Sequence, residues 1–112
     1  MTQPAKTLGI LGGGQLGRMS AMAAARLGIK VHIFCPEDNS PASHVAAHTV
    51  VAEYTDKVAL RAFAKSVDVI SYEFENIPVE TVQFLKKIKP MFPDDYLLEI
   101  AQHRWHEKQF LN

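Results

Sequence analysis

The sequence predicts an α/β domain with a Rossmann-like parallel sheet covered by helices on both faces. Short apolar runs rich in β-formers alternate with segments of helical periodicity, and the first run leads straight into three consecutive glycines. Strand-helix alternation at this spacing calls for right-handed crossovers, which place neighbouring strands parallel and bury the sheet on both sides.

The first strand is predicted over Thr7 to Leu11, because a short apolar run closed by Gly12-Gly13-Gly14 suits a buried strand entering a glycine turn. From Gln15 to Leu27, Leu16, Met19, Met22, Ala23 and Leu27 recur at helical spacing, and Gly28 supplies the stop. The pair Met19 and Met22 is expected in the core. Lys30 to Cys35 carries Val31, Ile33 and Phe34 and is closed by Pro36-Glu37-Asp38, which predicts a second strand with Cys35 as a small buried residue.

Asn39 to Ser43 has a loop composition, Thr49 to Ala52 is a short apolar third strand, and one helical turn fits between them. Asp56 is the expected N-cap of a helix whose buried stripe is Leu60, Phe63, Ala64 and Val67. Asp68 to Tyr72 forms a fourth strand. Pro78 and Glu80 suit the first turn of a helix that buries Val82 and Leu85, and Pro90 and Pro93 are expected to end it. A last helix is expected from about Asp94 through Leu97, Leu98, Ile100 and Ala101. The stretch from Gln102 to Asn112 ends without a cap or glycine, which reads as a sequence stopped within an element. The expected organisation is one domain over residues 1–101, with 102–112 beginning a linker or helix toward further domains.

A chain of 112 residues with 47% hydrophobic and 21% charged content is enough for one core without staples. The 12 basic and 12 acidic residues cancel, so no global field draws the chain onto nucleic acid or an anionic membrane. One cysteine cannot form an internal disulfide, and no apolar run approaches the ~18 residues of a membrane span, so a cytoplasmic protein is expected.

Two clusters carry the candidate chemistry. Gly12-Gly13-Gly14-Gln15-Leu16-Gly17 fits the G-x-G-x-x-G pattern between a strand and a helix. There the first glycine allows a tight turn, the second lets a ligand reach the backbone, and the third lets helix and strand pack closely. The helix's free N–H groups then favour a phosphate or another electron-rich group. Tyr72-Glu73-Phe74-Glu75-Asn76 lies at the carboxyl end of the fourth strand. The first and fourth strands of a doubly wound sheet are neighbours at the switch point, so both clusters should flank one crevice. Glu73 and Glu75 would face the same side of an extended segment, toward an amine or hydroxyl. His103 and His106 lack a third ligand for a metal, Arg18 suits a phosphate or a solvated helix face equally, and the lysines at 86, 87 and 89 suit a helix end.

These blocks resemble the N-terminal domain of the N5-carboxyaminoimidazole ribonucleotide synthetases. The resemblance rests on Gly9-Ile10-Leu11-Gly12-Gly13-Gly14-Gln15-Leu16-Gly17-Arg18-Met19, Pro41-Ala42, and Tyr72-Glu73-Phe74-Glu75-Asn76-Ile77-Pro78. It extends to Gln102-His103-Arg104, Glu107-Lys108 and Phe110-Leu111, with His103 where the family usually has Asp. It implies a three-domain ATP-grasp enzyme of which this chain supplies the pre-ATP-grasp domain. It also implies the reaction, in which ATP and bicarbonate form carboxyphosphate, which N-carboxylates 5-aminoimidazole ribonucleotide on the way to IMP. Carried over by position, Gly14, Gln15, Leu16, Glu73 and Glu75 would hold the ribonucleotide, and Arg104 would contact ATP. ATP and Mg2+ would be bound mainly by domains outside this chain, which is expected to be inactive alone, with no catalytic residue assigned in it. A homodimer is expected for the whole enzyme. Two other readings stay open: the first domain of a different ATP-grasp ligase, and an NAD(P)-binding module with Glu37 about 20 residues past the glycine turn holding the adenosine ribose.

Overall fold

The computed structural model describes residues 6–72 and 77–93. In order, they form strand β1 (Thr7–Leu11), helix α1 (Gln15–Arg26), strand β2 (Lys30–Cys35), a 3₁₀ turn (Ala42–His44) and strand β3 (His48–Val51). Helix α2 (Lys57–Lys65), strand β4 (Val69–Tyr72), helix α3 (Val79–Lys86) and strand β5 (Met91–Pro93) follow. The strands make one sheet in the order β3-β2-β1-β4-β5, and every neighbouring pair is parallel. The order reverses between β1 and β4, the expected switch point. Among the described residues, no helix is long and apolar enough to cross a membrane.

Alternation along each strand divides the core between two faces. Leu8, Ile10, Val31, Ile33 and Cys35 meet Ala21, Ala24 and Ala42 on the face that α1 covers. Leu11, Phe34, Ile70 and Tyr72 meet Leu60, Phe63, Ala64, Val67, Ile77 and Leu85 on the face covered by α2 and α3. Phe34 and Phe63 pack edge to face with ring centroids 5.4 Å apart. Cys35 is fully buried, as expected of a small strand residue.

Local signals act where the sequence places them. Gly28 adopts φ 76° just past α1, and the Asp56 carboxylate accepts from the Ala59 amide at 3.1 Å to cap α2. Leu60, Phe63, Ala64 and Val67 are all buried. Pro78 stands immediately before α3, with Glu80 in the first turn.

Three expectations change. Helix α1 buries Gly17, Ser20, Ala21 and Ala24, whereas Met19 and Met22 are 57% and 43% exposed. The small residues let the helix lie close to the sheet, and that rotates the methionines outward. The segment expected only to terminate α3 forms β5, in which Ile70, Ser71 and Tyr72 pair with Met91, Phe92 and Pro93. Two apolar residues between prolines carry no readable periodicity, and an edge position tolerates the missing N–H of Pro93. On α3 the fully buried residues are Thr81 and Leu85, while Val82 is only partly buried; the Thr81 hydroxyl donates to the Tyr54 carbonyl at 2.7 Å, so a polar residue closes that face. The helix expected from Asp94 lies outside the described residues.

Gly9 has no room for a side chain: a Cβ would stand 2.8 Å from the Phe63 ring and 3.0 Å from a Val67 methyl. Gly9→Ala is expected to lower stability by about 1–3 kcal/mol, the usual cost of overpacking, as read by urea denaturation. His32 is held below its ordinary pKa by burial first and then by the charges of His48 and Lys30. The folded chain therefore binds this proton less readily than the unfolded chain. This contribution to stability is complete above about pH 6.5 and is lost as pH falls through the lower folded value. His32→Gln should flatten the acid side of the stability profile.

Candidate functional site

Strands β1 and β4 end side by side, with Leu11 paired to Tyr72, so the glycine turn leaves the sheet at the switch point. Gly12 takes φ 124°, a conformation side chains rarely adopt, while its amide donates to the Phe34 carbonyl of β2 at 2.9 Å. The chain can therefore reverse within two residues and start α1 at Gln15. A Cβ on Gly17 would lie 2.7 Å from the Gly12 carbonyl oxygen, so the first helical turn rests directly on the glycine turn's backbone.

Gly14 is the N-cap of α1, with no side-chain cap, and space is open around it. The Gly14 carbonyl accepts the first helical bond, from Arg18 at 3.0 Å. The amides of the first turn consequently have no intrahelical acceptor and, with no acidic residue in that turn, retain the positive end of the helix dipole. Gly14 and Gln15 are exposed and Leu16 is partly buried. These three predicted residues thus form one accessible corner, suited to an anionic or carbonyl-bearing ligand.

The loop after β2 braces this corner, which sequence reasoning missed. A Cβ on Gly13 would fall 2.5 Å from the Ser40 hydroxyl and 2.8 Å from the Cys35 sulfur. The Ala42 amide donates to the Gly13 carbonyl at 2.9 Å, and the Cys35 thiol donates to the Glu37 carbonyl at 3.3 Å. Asn39 turns the loop with φ 55°, a conformation that Asn tolerates, and its side-chain oxygen lies 2.7 Å from His44 Nε2. The available signal was the glycine in the x position: the fingerprint explains Gly12, Gly14 and Gly17, and Gly13 has to be explained by a neighbour that occupies the place of its side chain.

Glu73, Glu75 and Arg104 lie outside the described residues, as do His103 and His106. What the described residues establish is the end of β4 at Tyr72, beside the glycine turn. Among the described residues, no group of three His, Cys, Asp or Glu could hold a metal ion.

The second and third glycines of the fingerprint separate binding from folding. Gly17→Ala should destabilise the domain by at least about 1–3 kcal/mol, since its methyl meets fixed backbone rather than a movable side chain. Gly14→Ala should cost less in a thermal melt, since its methyl projects into open space, and its effect should appear in ligand affinity instead.

A family model described as the ribonucleotide synthetase preATP-grasp domain matches residues 5–102. The chain is 50% identical over 110 residues to the N5-carboxyaminoimidazole ribonucleotide synthase of Brucella melitensis, covering 98% of this chain and 30% of that protein. It is 55% identical over 108 residues to a bifunctional purine synthesis protein of Dictyostelium discoideum, covering 96% of this chain and 11% of that protein. The crystal structure of N5-carboxyaminoimidazole ribonucleotide synthetase from Thermus thermophilus superposes with a TM-score of 0.72 at 43% identity, over 92% of this chain and 28% of that one. A crystal structure of the Aspergillus clavatus synthase, in complex with ADP and 5-aminoimidazole ribonucleotide, superposes with a TM-score of 0.69 at 30% identity, over 94% of this chain and 30% of that one. The chain therefore spans a third or less of these relatives' length. On its sequence and its fold, it belongs to the ribonucleotide synthetase pre-ATP-grasp domain family.

Proposed function

We propose that this chain is the ribonucleotide-holding domain of an ATP-dependent ligase that N-carboxylates 5-aminoimidazole ribonucleotide in purine biosynthesis. The observation that carries the reading is the uncapped, accessible start of α1 at the switch point, in a chain half identical to a named N5-carboxyaminoimidazole ribonucleotide synthase. In this reading the backbone of Gly14, Gln15 and Leu16 holds the ribonucleotide from one side, and Glu73 and Glu75 approach from the end of β4. Glu75 either orients the exocyclic amine by a charge-assisted hydrogen bond or accepts its proton as the N–C bond forms. The carboxyl group comes from bicarbonate by way of carboxyphosphate, and ADP and phosphate leave.

ATP and Mg2+ belong mainly to parts of the enzyme beyond this chain, with Arg104 the one contact to ATP proposed within it. We assign magnesium to no residue of this chain, and the chain alone is proposed to be inactive. The whole enzyme is proposed to be a cytoplasmic homodimer.

The dinucleotide-binding alternative needs Glu37 beside the glycine turn, holding a ribose. Glu37 is exposed, and the residues that pack against the turn are Ser40 and Cys35. That loop fills the space next to Gly13, which favours the ribonucleotide reading.

An amide chemical-shift titration of this chain with 5-aminoimidazole ribonucleotide, run in parallel with NAD, tests the choice. Shifts at residues 14–17 and 73–76 with the ribonucleotide alone are expected; the same residues answering to NAD would overturn the reading. In the full-length enzyme, Glu75→Gln should lower kcat by about 10²–10⁴-fold, the range of a lost general base. An unchanged rate would remove Glu75 from the mechanism.

A further inference from the structure

His32 and His48 are register partners in the parallel β2–β3 pair, near the amino ends of the strands and away from the glycine turn. Residues paired in this way leave the sheet on the same face. Their ring centroids lie 5.4 Å apart with planes inclined at 68°. His48 is exposed on the sheet's edge strand, and His32 is partly buried beneath the end of α2.

A third residue sets the tautomer of His32. The Ser66 hydroxyl donates its only proton to the Phe63 carbonyl at 2.7 Å. Toward His32 Nδ1, at 3.2 Å, the same oxygen can then act only as an acceptor. Nδ1 therefore carries the ring hydrogen, and in the neutral imidazole the lone pair sits on Nε2. Among the described residues Nε2 has no hydrogen-bond partner. Metal-binding histidines are commonly held like this, with one ring N–H given to a fixed oxygen and the other nitrogen basic and free.

We propose that His32 and His48 form a binding site for a borderline divalent transition metal, such as Zn2+, Ni2+ or Cu2+, with water completing the coordination. An imidazole centre stands about 3.1 Å from an ion bound at the usual Zn–N distance. Rings spaced as these are would subtend roughly 120° at a shared ion, within the range of tetrahedral and trigonal sites. Imidazole nitrogen suits these metals, and not magnesium or calcium, which prefer oxygen. The nearby Lys30 charge opposes a cation, but that side chain is exposed and screened. The site is independent of the ribonucleotide corner, which lies at the opposite ends of the strands.

The test is a Zn2+ titration of the 112-residue chain, followed by calorimetry and by histidine ring NMR. One ion per chain should bind and shift the ring signals of His32 and His48, and His48→Gln should weaken binding at least about tenfold. His44→Gln should leave the affinity unchanged. His48→Gln binding as tightly as the parent, shifts confined to His44, His103 or His106, or no binding up to roughly millimolar zinc would each overturn the site. A long-range 15N–1H spectrum of the metal-free chain provides a second check that needs no variant: Nδ1–H at His32 is expected, and Nε2–H would overturn the argument.

Discussion

The constraint that governs the rest of the structure is the contact between Gly17 and the Gly12 carbonyl, where a methyl group would come within 2.7 Å of backbone oxygen. Everything at the switch point follows from it. Because α1 starts hard against the end of β1, its first-turn amides stand at the carboxyl end of β1, the strand whose last residue pairs with the last of β4. The same closeness selects Ser20, Ala21 and Ala24 as the residues that face the sheet. Larger residues there would lift the helix and move Gly14, Gln15 and Leu16 away from the end of β4.

The two faces of the sheet are built differently, and the difference divides labour. On the α2–α3 side, Phe34, Phe63, Leu60 and Leu85 form a core of large side chains that supplies most of the apolar burial. On the α1 side, alanines and a loop held by backbone hydrogen bonds give a thinner layer with tightly specified geometry. The corner proposed to hold the ribonucleotide gains from that arrangement, since positions fixed by backbone contact hold an amide more exactly than flexible side chains do. Ser40, Cys35 and Ala42 serve this role by wedging the second loop against Gly13.

Pattern and punctuation made the β1-to-β4 half of the fold legible. The glycine fingerprint, Gly28, Asp56 and Pro78 act through local backbone geometry that any reader of the chain can anticipate. The stripe from Leu60 to Val67 was legible because its residues are large and apolar at helical spacing. The same logic misled at Met19 and Met22, where size suggested burial and the sheet instead admitted only small residues. It passed over β5 because Met91 and Phe92 make too short a run to show a period.

By itself, then, the sequence determined the fold class, the parallel sheet with its glycine turn at the switch point, and the family, since these depend on local conformational limits and on distinctive residue strings. Tertiary structure alone decided which face of α1 is buried, that Met91–Pro93 pairs as a strand, that Ser40 and Cys35 fill the space beside Gly13, and that His32 meets His48 and Ser66. The physical reason is the same in each case. These outcomes depend on the distance between segments far apart in the chain, and no residue carries that distance in its own identity.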